Sequence, residues 1–208
     1  MILASPTDVL NRLGMATSED RLDSIKSALQ GVTFKIESDL RTSLQQQARV
    51  DYFSVPVYRA HPRQIQLNLT QGFVDSTVPM VITVSSSGYV EDSTDTTILA
   101  DDEYEIDFNN GKVTMHQYIY SGTETISVAY TAGYAVSSLD KIVGAPTWLG
   151  EAAKAATVLM LNAENFSRQK TKAFKADNNM ANRIYTSIVN THVRPRSSGI
   201  SPWRGTEV

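Results

Sequence analysis

Three histidines, His61, His116 and His192, are the side chains best suited to move protons or bind metal near neutral pH. They lie far apart in the chain, and none has a partner at HxH or HxxxH spacing, so a metal site would have to be gathered from unrelated segments. Carboxylates are denser: Asp101, Asp102 and Glu103 are consecutive, and Glu105 and Asp107 follow at alternate positions. Paired carboxylates can do general acid–base work. Alternate spacing within a strand, however, puts Glu105 and Asp107 on one outward face, where they solvate the strand. No GxSxG elbow, phosphate-cradling glycine loop or dinucleotide fingerprint occurs. These patterns point away from an enzyme, and no cofactor or metal is expected.

Two basic stretches remain. Arg168, Lys170, Lys172 and Lys175 form a polar run with one aromatic, Phe174, and without the stacking series of single-strand nucleic-acid binders. The run reads as a solvated face, as a contact for an acidic neighbouring subunit, or as a surface near DNA. From Arg194 the composition changes abruptly to Arg194-Pro-Arg-Ser-Ser-Gly-Ile-Ser-Pro-Trp-Arg-Gly205. Prolines and glycines forbid a helix there, and nothing alternates. The stretch reads as an extended arm, mobile alone and ordered against a partner. Tryptophan and arginine are the types enriched in interface hot spots, so Arg194, Pro195, Arg196, Trp203 and Arg204 are the expected docking residues.

The elements that must position these residues follow from periodicity. Residues 1–48 read as helices: Ser5-Pro6-Thr-Asp8 opens a short one that Gly14 ends. Thr17 or Ser18 caps a second, whose apolar stripe runs from Leu22 to Leu44, with Gly31 a point of bending or breakage. Residues 49–134 alternate. Tyr52–Tyr58, interrupted by Pro56, reads as an edge strand, Gln64–Thr70 and Pro79–Val84 as further strands, and Tyr89–Ala100 as an exposed loop. A hairpin spans Glu103–Met115, turning at Asn109-Asn-Gly111. Thr125–Tyr130 is a strand with one buried face, left through Gly133. Residues 135–193 return to helices: Pro146 suits a first turn, a core helix runs from Trp148 to Phe166, and a last one follows Asp177. Residues 194–208 are the arm. The fold class is therefore α+β: a small helical bundle of N- and C-terminal helices with an inserted antiparallel β-sandwich or barrel, and an extended C-terminal arm.

The 208 residues contain 41% hydrophobic and 20% charged side chains, as in ordinary folded domains, and net charge is −3. The charge is uneven. Residues 49–145 carry five basic against twelve acidic groups, net −7, and residues 146–208 carry nine against four, net +5. Such a division suits binding to copies of itself or to a charged partner. Cysteine is absent, which removes disulfides and thiolate metal sites and fits a reducing compartment. Residues 1–15 lack the features of a signal peptide. No run reaches the roughly 20 apolar residues of a membrane span, so a soluble chain made in the cytoplasm is expected.

The order of these features resembles the head–tail connector (adaptor, head-completion) proteins of tailed bacteriophages. The matching residues are Val128-Ala-Tyr-Thr-Ala-Gly-Tyr-Ala135 before Pro146 and the alanine-rich helix, the opening Pro6-Thr-Asp-Val-Leu-Asn-Arg-Leu13, and the hairpin Tyr104-Glu-Ile-Asp-Phe-Asn-Asn-Gly111. Tyr130, Thr131, Gly133 and Tyr134 form the turn most specific to the family. The resemblance covers residues 1–48 and 100–192; residues 49–99 make the insertion larger than in compact members. It implies a structural virion protein in the neck between portal vertex and tail, a ring matching the portal at twelve copies. The portal protein, further copies of the chain and the next tail component would be its partners. Packaged double-stranded DNA would pass through the channel without sequence-specific binding, and no membrane is involved. Within the same particle, a tail terminator or stopper is the alternative; outside it, a small DNA-binding module using Arg168–Lys175.

Overall fold

A computed structural model describes residues 1–55, 64–85, 96–116, 124–163, 172–194, 199–202 and 204–207. Among them the chain is α+β and divides into two compact units, Met1–Arg41 with Tyr134–Val193, and Thr42–Gly133 with Arg194–Val208. Each unit is therefore built from segments distant in sequence.

The first unit is helical. α1 (Pro6–Leu13) begins with Pro6 at its first position, as an N–H that would lack a partner allows, and ends at Gly14, whose φ of 64° lets its N–H reach back to Leu10 and Asn11 carbonyls. α2 (Glu19–Leu40) runs unbroken through Gly31 and stops where Arg41 adopts φ 58°. The apolar stripe thus ends at Leu40, and Leu44 lies beyond the helix. α3 (Thr147–Ala163) and α4 (Lys172–His192) form an antiparallel pair, with Trp148 stacked on His192 at 3.9 Å and 2° near one end and Asn162 bonded to Asn178 at 3.3 Å near the other. α3 packs against the other three helices. Its buried positions are mostly alanine (Ala152, Ala153, Ala155 and Ala156), small enough to let three neighbours approach at once. Two hydroxyls buried by this packing, Thr33 and Thr157, bond the carbonyls of Leu29 (2.8 Å) and Ala153 (2.7 Å) one turn back, so neither is stranded. Helix α4 starts at Lys172, earlier than the cap at Asp177 suggests, because Lys-Ala-Phe-Lys-Ala is itself a run of good helix formers.

The second unit is a pair of antiparallel sheets. The larger has the order β4-β3-β7-β1-β8: β1 (Gln47–Val55), β3 (Val81–Ser85), β4 (Thr96–Ile98), β7 (Glu124–Ala132) and β8 (Arg204–Glu207). The smaller is β2-β6-β5, from β2 (Ile65–Asn68), β5 (Tyr104–Asp107) and β6 (Lys112–Met115). Phe53, Ile82, Ile126 and Val128 of the large sheet share one core with Leu67, Val113 and Met115 of the small one. That makes a sandwich; among the described residues no strand belongs to both sheets to close a barrel.

Several expectations change here. β1 begins at Gln47, inside the stretch read as helix, and it is an inner strand rather than an edge, because β8 pairs with its far side: Arg49↔Glu207 through Tyr52↔Arg204. Thr96–Ile98, read as loop, is β4, a short strand of β-favouring residues. Thr125 and Ser127, read as the exposed face of β7, are buried, since this strand sits mid-sheet between β3 and β1. The hairpin turn takes four residues, Phe108 to Gly111, between the paired Asp107 and Lys112. The arm is the largest correction. Residues 204–207 are a strand of this unit, and Ile200 bridges to Leu67 with Ile200 N–H donating to Gln66 O at 2.8 Å and Asn68 N–H to Ile200 O at 2.8 Å. The described part of the arm is ordered on its own chain, because β1 and β2 offer it backbone partners.

Gly133 carries the chain out of β7 at φ 89°, and a Cβ there would lie 2.4 Å from the Gln45 carbonyl oxygen. Gly133→Ala is therefore expected to destabilise the β unit by about 1–3 kcal/mol from backbone strain alone, measured as a lower urea midpoint; an unchanged midpoint would contradict this backbone geometry. In the helical unit, burial alone would raise the Asp39 pKa, but hydrogen bonds from Lys35 and Tyr185 and the Lys35 charge hold it below 3.8. A depressed carboxyl stabilises above its unfolded pKa, and that contribution is lost as pH falls through the folded one. Helical thermal stability should accordingly decline as pH drops below about 4, and Tyr185→Phe should flatten the decline in circular-dichroism melts.

Candidate functional site

Two residues singled out in the sequence, Tyr130 and Arg194, come to one place in the β unit, where the arm meets the loop after β2. Asp51 projects from β1 on the same face as Phe53 and Val55 and is fully buried. A carboxylate in such a place must be saturated with donors or it is strongly destabilising. Tyr130 Oη donates to it at 2.9 Å, Thr70 Oγ1 at 2.7 Å, and the Thr70 backbone N–H completes the set. The Tyr130 hydroxyl in turn accepts the Gln71 N–H at 3.1 Å. Burial first, and the Asp51 charge second, push the Tyr130 phenol well above its ordinary pKa, so it keeps its proton and remains a donor.

Arg194 approaches the same loop. Its guanidinium donates to the carbonyls of Leu69 (2.7 Å) and Thr70 (2.8 Å), and through Nε to that of Asn110 (3.0 Å). Burial lowers its pKa against the opposing pull of Tyr130 and Asp51. Three carbonyls fix the planar fork, a geometry lysine would not reproduce. Thr42 closes the other side: its hydroxyl donates to Gln71 Oε1 at 3.0 Å and accepts the Gly72 N–H at 3.0 Å. Further along the arm, a Cβ on Gly199 would meet Gln66 O and Asn68 Nδ2, each at 2.7 Å, so only glycine lets the arm lie this close to β2. The hydrogen bonds named here hold loop 69–72 against β1 and β7, and the arm against that loop. The arrangement is a fastening, with the Asp51 carboxylate occupied by three donors rather than poised as a base.

The other expected residues distribute as follows. Thr131 accepts the Asp75 N–H at 2.8 Å, Gly133 N–H donates to Phe73 O at 2.9 Å, and the Tyr134 phenol, pushed up to about 12 by burial, begins the helical unit. The Tyr130–Tyr134 turn is thus where the chain passes from one unit to the other, with Tyr130 drawn into the fastening. Of the docking arm, Arg194 is committed internally instead of being free for a partner. Arg204 lies in β8, and Pro195, Arg196 and Trp203 lie outside the described residues. Arg168 and Lys170 also lie outside them, while Lys172 and Lys175 belong to the first turns of α4.

The catalytic candidates resolve into local contacts. His116 Nε2 is 3.6 Å from Glu105, His192 stacks on Trp148, and His61 lies outside the described residues. Asp101 accepts the Tyr104 hydroxyl at 3.0 Å, Glu103 accepts the Ala100 N–H at 2.7 Å, and Asp107 caps the hairpin turn through Asn110. Among the described residues no cluster of three or more histidine, cysteine or acidic side chains could hold a metal ion, and no helix is long and apolar enough to cross a membrane. Sequence reasoning missed Asp51 and Thr70. The available signal was an aspartate in register with the inward Phe53 and Val55, hidden because the strand was read from Tyr52, just past Asp51, whereas β1 begins at Gln47.

Asp51→Ala would leave three donors stranded and should cost about 3–5 kcal/mol, the scale for losing one member of a buried charged group, read as a shift in the urea midpoint. Arg194→Ala should cost less, about 2–3 kcal/mol, and should speed deuterium exchange at the Asn68 and Ile200 amides while leaving α3 unchanged; equal protection in the variant would show that Arg194 does not hold the arm. No protein-family model matches the chain, and neither a characterised protein nor a solved structure shows significant similarity to it.

Proposed function

We propose that the chain is a structural adaptor of a tailed-phage neck, assembled as a ring beneath the portal, extending the DNA channel and offering a platform to the tail. The observation that carries the reading is the exposed apolar surface of the helical unit. Phe34 of α2 is 69% exposed, Met180 of α4 61%, and Leu139 in the segment before α3 79%. Large side chains left in water in this number mark a surface that another molecule covers. Phe34 and Met180 sit on helices, and Leu139 with Val143 on the segment before α3. Exposed apolar side chains on unlike segments suit a head-to-tail contact, which closes into a ring when the rotation permits. The α-β-α chain order, with the β unit inserted between helices, is also the order the resemblance implies.

In this reading the arm has a divided role. Arg194, Ile200 and β8 fasten it to its own subunit, and portal docking falls to Pro195, Arg196, Trp203 and the Arg204 side chain. Removing residues 194–208 outright would take β8 and the Arg194 bonds with it, so point variants are the cleaner probe. Purified chain mixed with portal rings is expected to give a complex carrying twelve copies by native mass measurement, with Trp203→Ala weakening capture at least about tenfold, the scale of a hot-spot loss of more than 1 kcal/mol. A chain that stays monomeric and is not captured by portal would overturn the proposal. Phe34→Ser with Met180→Ser should leave the fold intact and reduce the copies retained per ring.

A further inference from the structure

The two edges of the small sheet are finished differently. Along β2, Ile200 takes the outward backbone groups: its N–H donates to Gln66 O, and its own O accepts the Asn68 N–H. Along β5 the pairing with β6 fixes which groups are spent. His116 N–H donates to Glu103 O at 2.8 Å, so in this register Glu105 and Asp107 turn their N–H and C=O groups toward β6. Those of Tyr104 and Ile106 point away from the sheet, and among the described residues nothing bonds them. The next outward carbonyl in the series, that of Phe108, is taken by the Val74 N–H at 2.8 Å. β5 is thus a short open edge, stopped at its Phe108 end. Beside it lies a groove of about 320 Å³, lined by Val78, Pro79 and Met80 before β3 and by Tyr104, Ile106 and Phe108. The latter three alternate along β5 and its continuation, so they share a face, with Tyr104 in the common core. Glu105 and Asp107 lie on the opposite face, in water.

We propose that β5 receives an extended segment of a partner protein as a fourth strand of the small sheet, one in which apolar and basic residues alternate. The segment lies antiparallel to β5, as β2, β6 and β5 lie to one another. Its backbone bonds the open groups of Tyr104 and Ile106, the source of affinity in strand addition, while alternate side chains supply specificity. Residues opposite Tyr104 and Ile106 share their face and enter the groove, so they are apolar. Residues opposite Glu105 and Asp107 share the outward face, where lysine or arginine gains a cross-strand charge pair. The same carboxylates exclude the obvious competitor. Two copies meeting β5 to β5 would set Glu105 and Asp107 against their equivalents, and like charges directly opposite are destabilising. The occupant is therefore a basic strand of another protein. The inference does not depend on the ring reading, since it concerns the β unit alone.

The full-length chain is titrated with a blocked peptide in which valine and lysine alternate, and amide hydrogen exchange is followed by NMR at each residue. In the free chain the Ile106 amide is expected to exchange freely while those of Glu105 and Asp107 are protected. Saturating peptide should slow exchange at Tyr104 and Ile106 at least about tenfold, the mark of new backbone bonds, and leave Asn68 on the far edge unchanged. The same peptide N-methylated at its valines, whose amides would face β5, should give no protection. Glu105→Lys should weaken the lysine peptide about two- to fivefold and strengthen a valine–glutamate peptide by a like factor, the scale of a cross-strand charge pair. Protection of Ile106 in the dilute free chain overturns the inference, as does equal binding of the N-methylated peptide or an affinity indifferent to Glu105→Lys. Protection of Tyr104 and Ile106 that rises with chain concentration, without peptide, would make a second copy the occupant and overturn it too.

Discussion

A carboxylate with no access to water, set among Phe53, Val55 and Val128, is the constraint on which the β unit depends. Burying Asp51 costs several kcal/mol unless its oxygens find donors, and the donors come from two places, β7 through Tyr130 and the loop after β2 through Thr70. The large sheet, the small sheet and the loop between them can therefore adopt only the arrangement that brings these groups together. Hydrophobic packing alone would tolerate many relative positions of two sheets; a charge that must be satisfied selects one. Arg194 extends the same logic outward. The loop that feeds Thr70 into Asp51 turns its own carbonyls away, and the guanidinium collects them.

The two units meet their needs differently. The helical unit packs by size: alanines along α3 admit three neighbours, and its polar interactions, such as Lys154 with Asp8 and Glu151, lie at the rim where they contribute little. The β unit packs by saturation of buried polar groups. The β unit is thus specified by its buried hydrogen bonds, and the helical unit by the close approach that small side chains allow.

Much of this was legible wherever the determining residues are neighbours in sequence. Ser5-Pro6 and Gly14 bracket α1, Glu19 and Asp20 open α2, Asn110-Gly111 turns the hairpin, and Gly133 ends β7, each by a local rule about backbone angles or unpaired N–H groups. What failed to show was whatever depends on distant partners. Pro56 suggested an edge strand, yet β1 is flanked by β8, whose residues give no alternating signal and find their place only against β1. The arm seemed unstructured for the same reason. Lys172 and Lys175 looked like a charged linker because charge was weighed over helix propensity, although lysine serves both. Asp51 was invisible as a site because its role is defined by Thr70 and Tyr130, neither adjacent to it.

The placement of β8 has a consequence for the chain while it is being made. Strand β1 emerges from the ribosome early and pairs with β7 as soon as that strand follows, but its other edge stays open until residues 204–207 have been synthesised. During that interval an unprotected row of backbone donors and acceptors, beside Tyr52 and Phe53, invites pairing with whatever strand is nearby, including another nascent copy. Messages broken or stopped shortly before codon 204 would yield products locked in that vulnerable state. Pairing of residues 204–207 with β1 is thus the step that closes this edge of the large sheet.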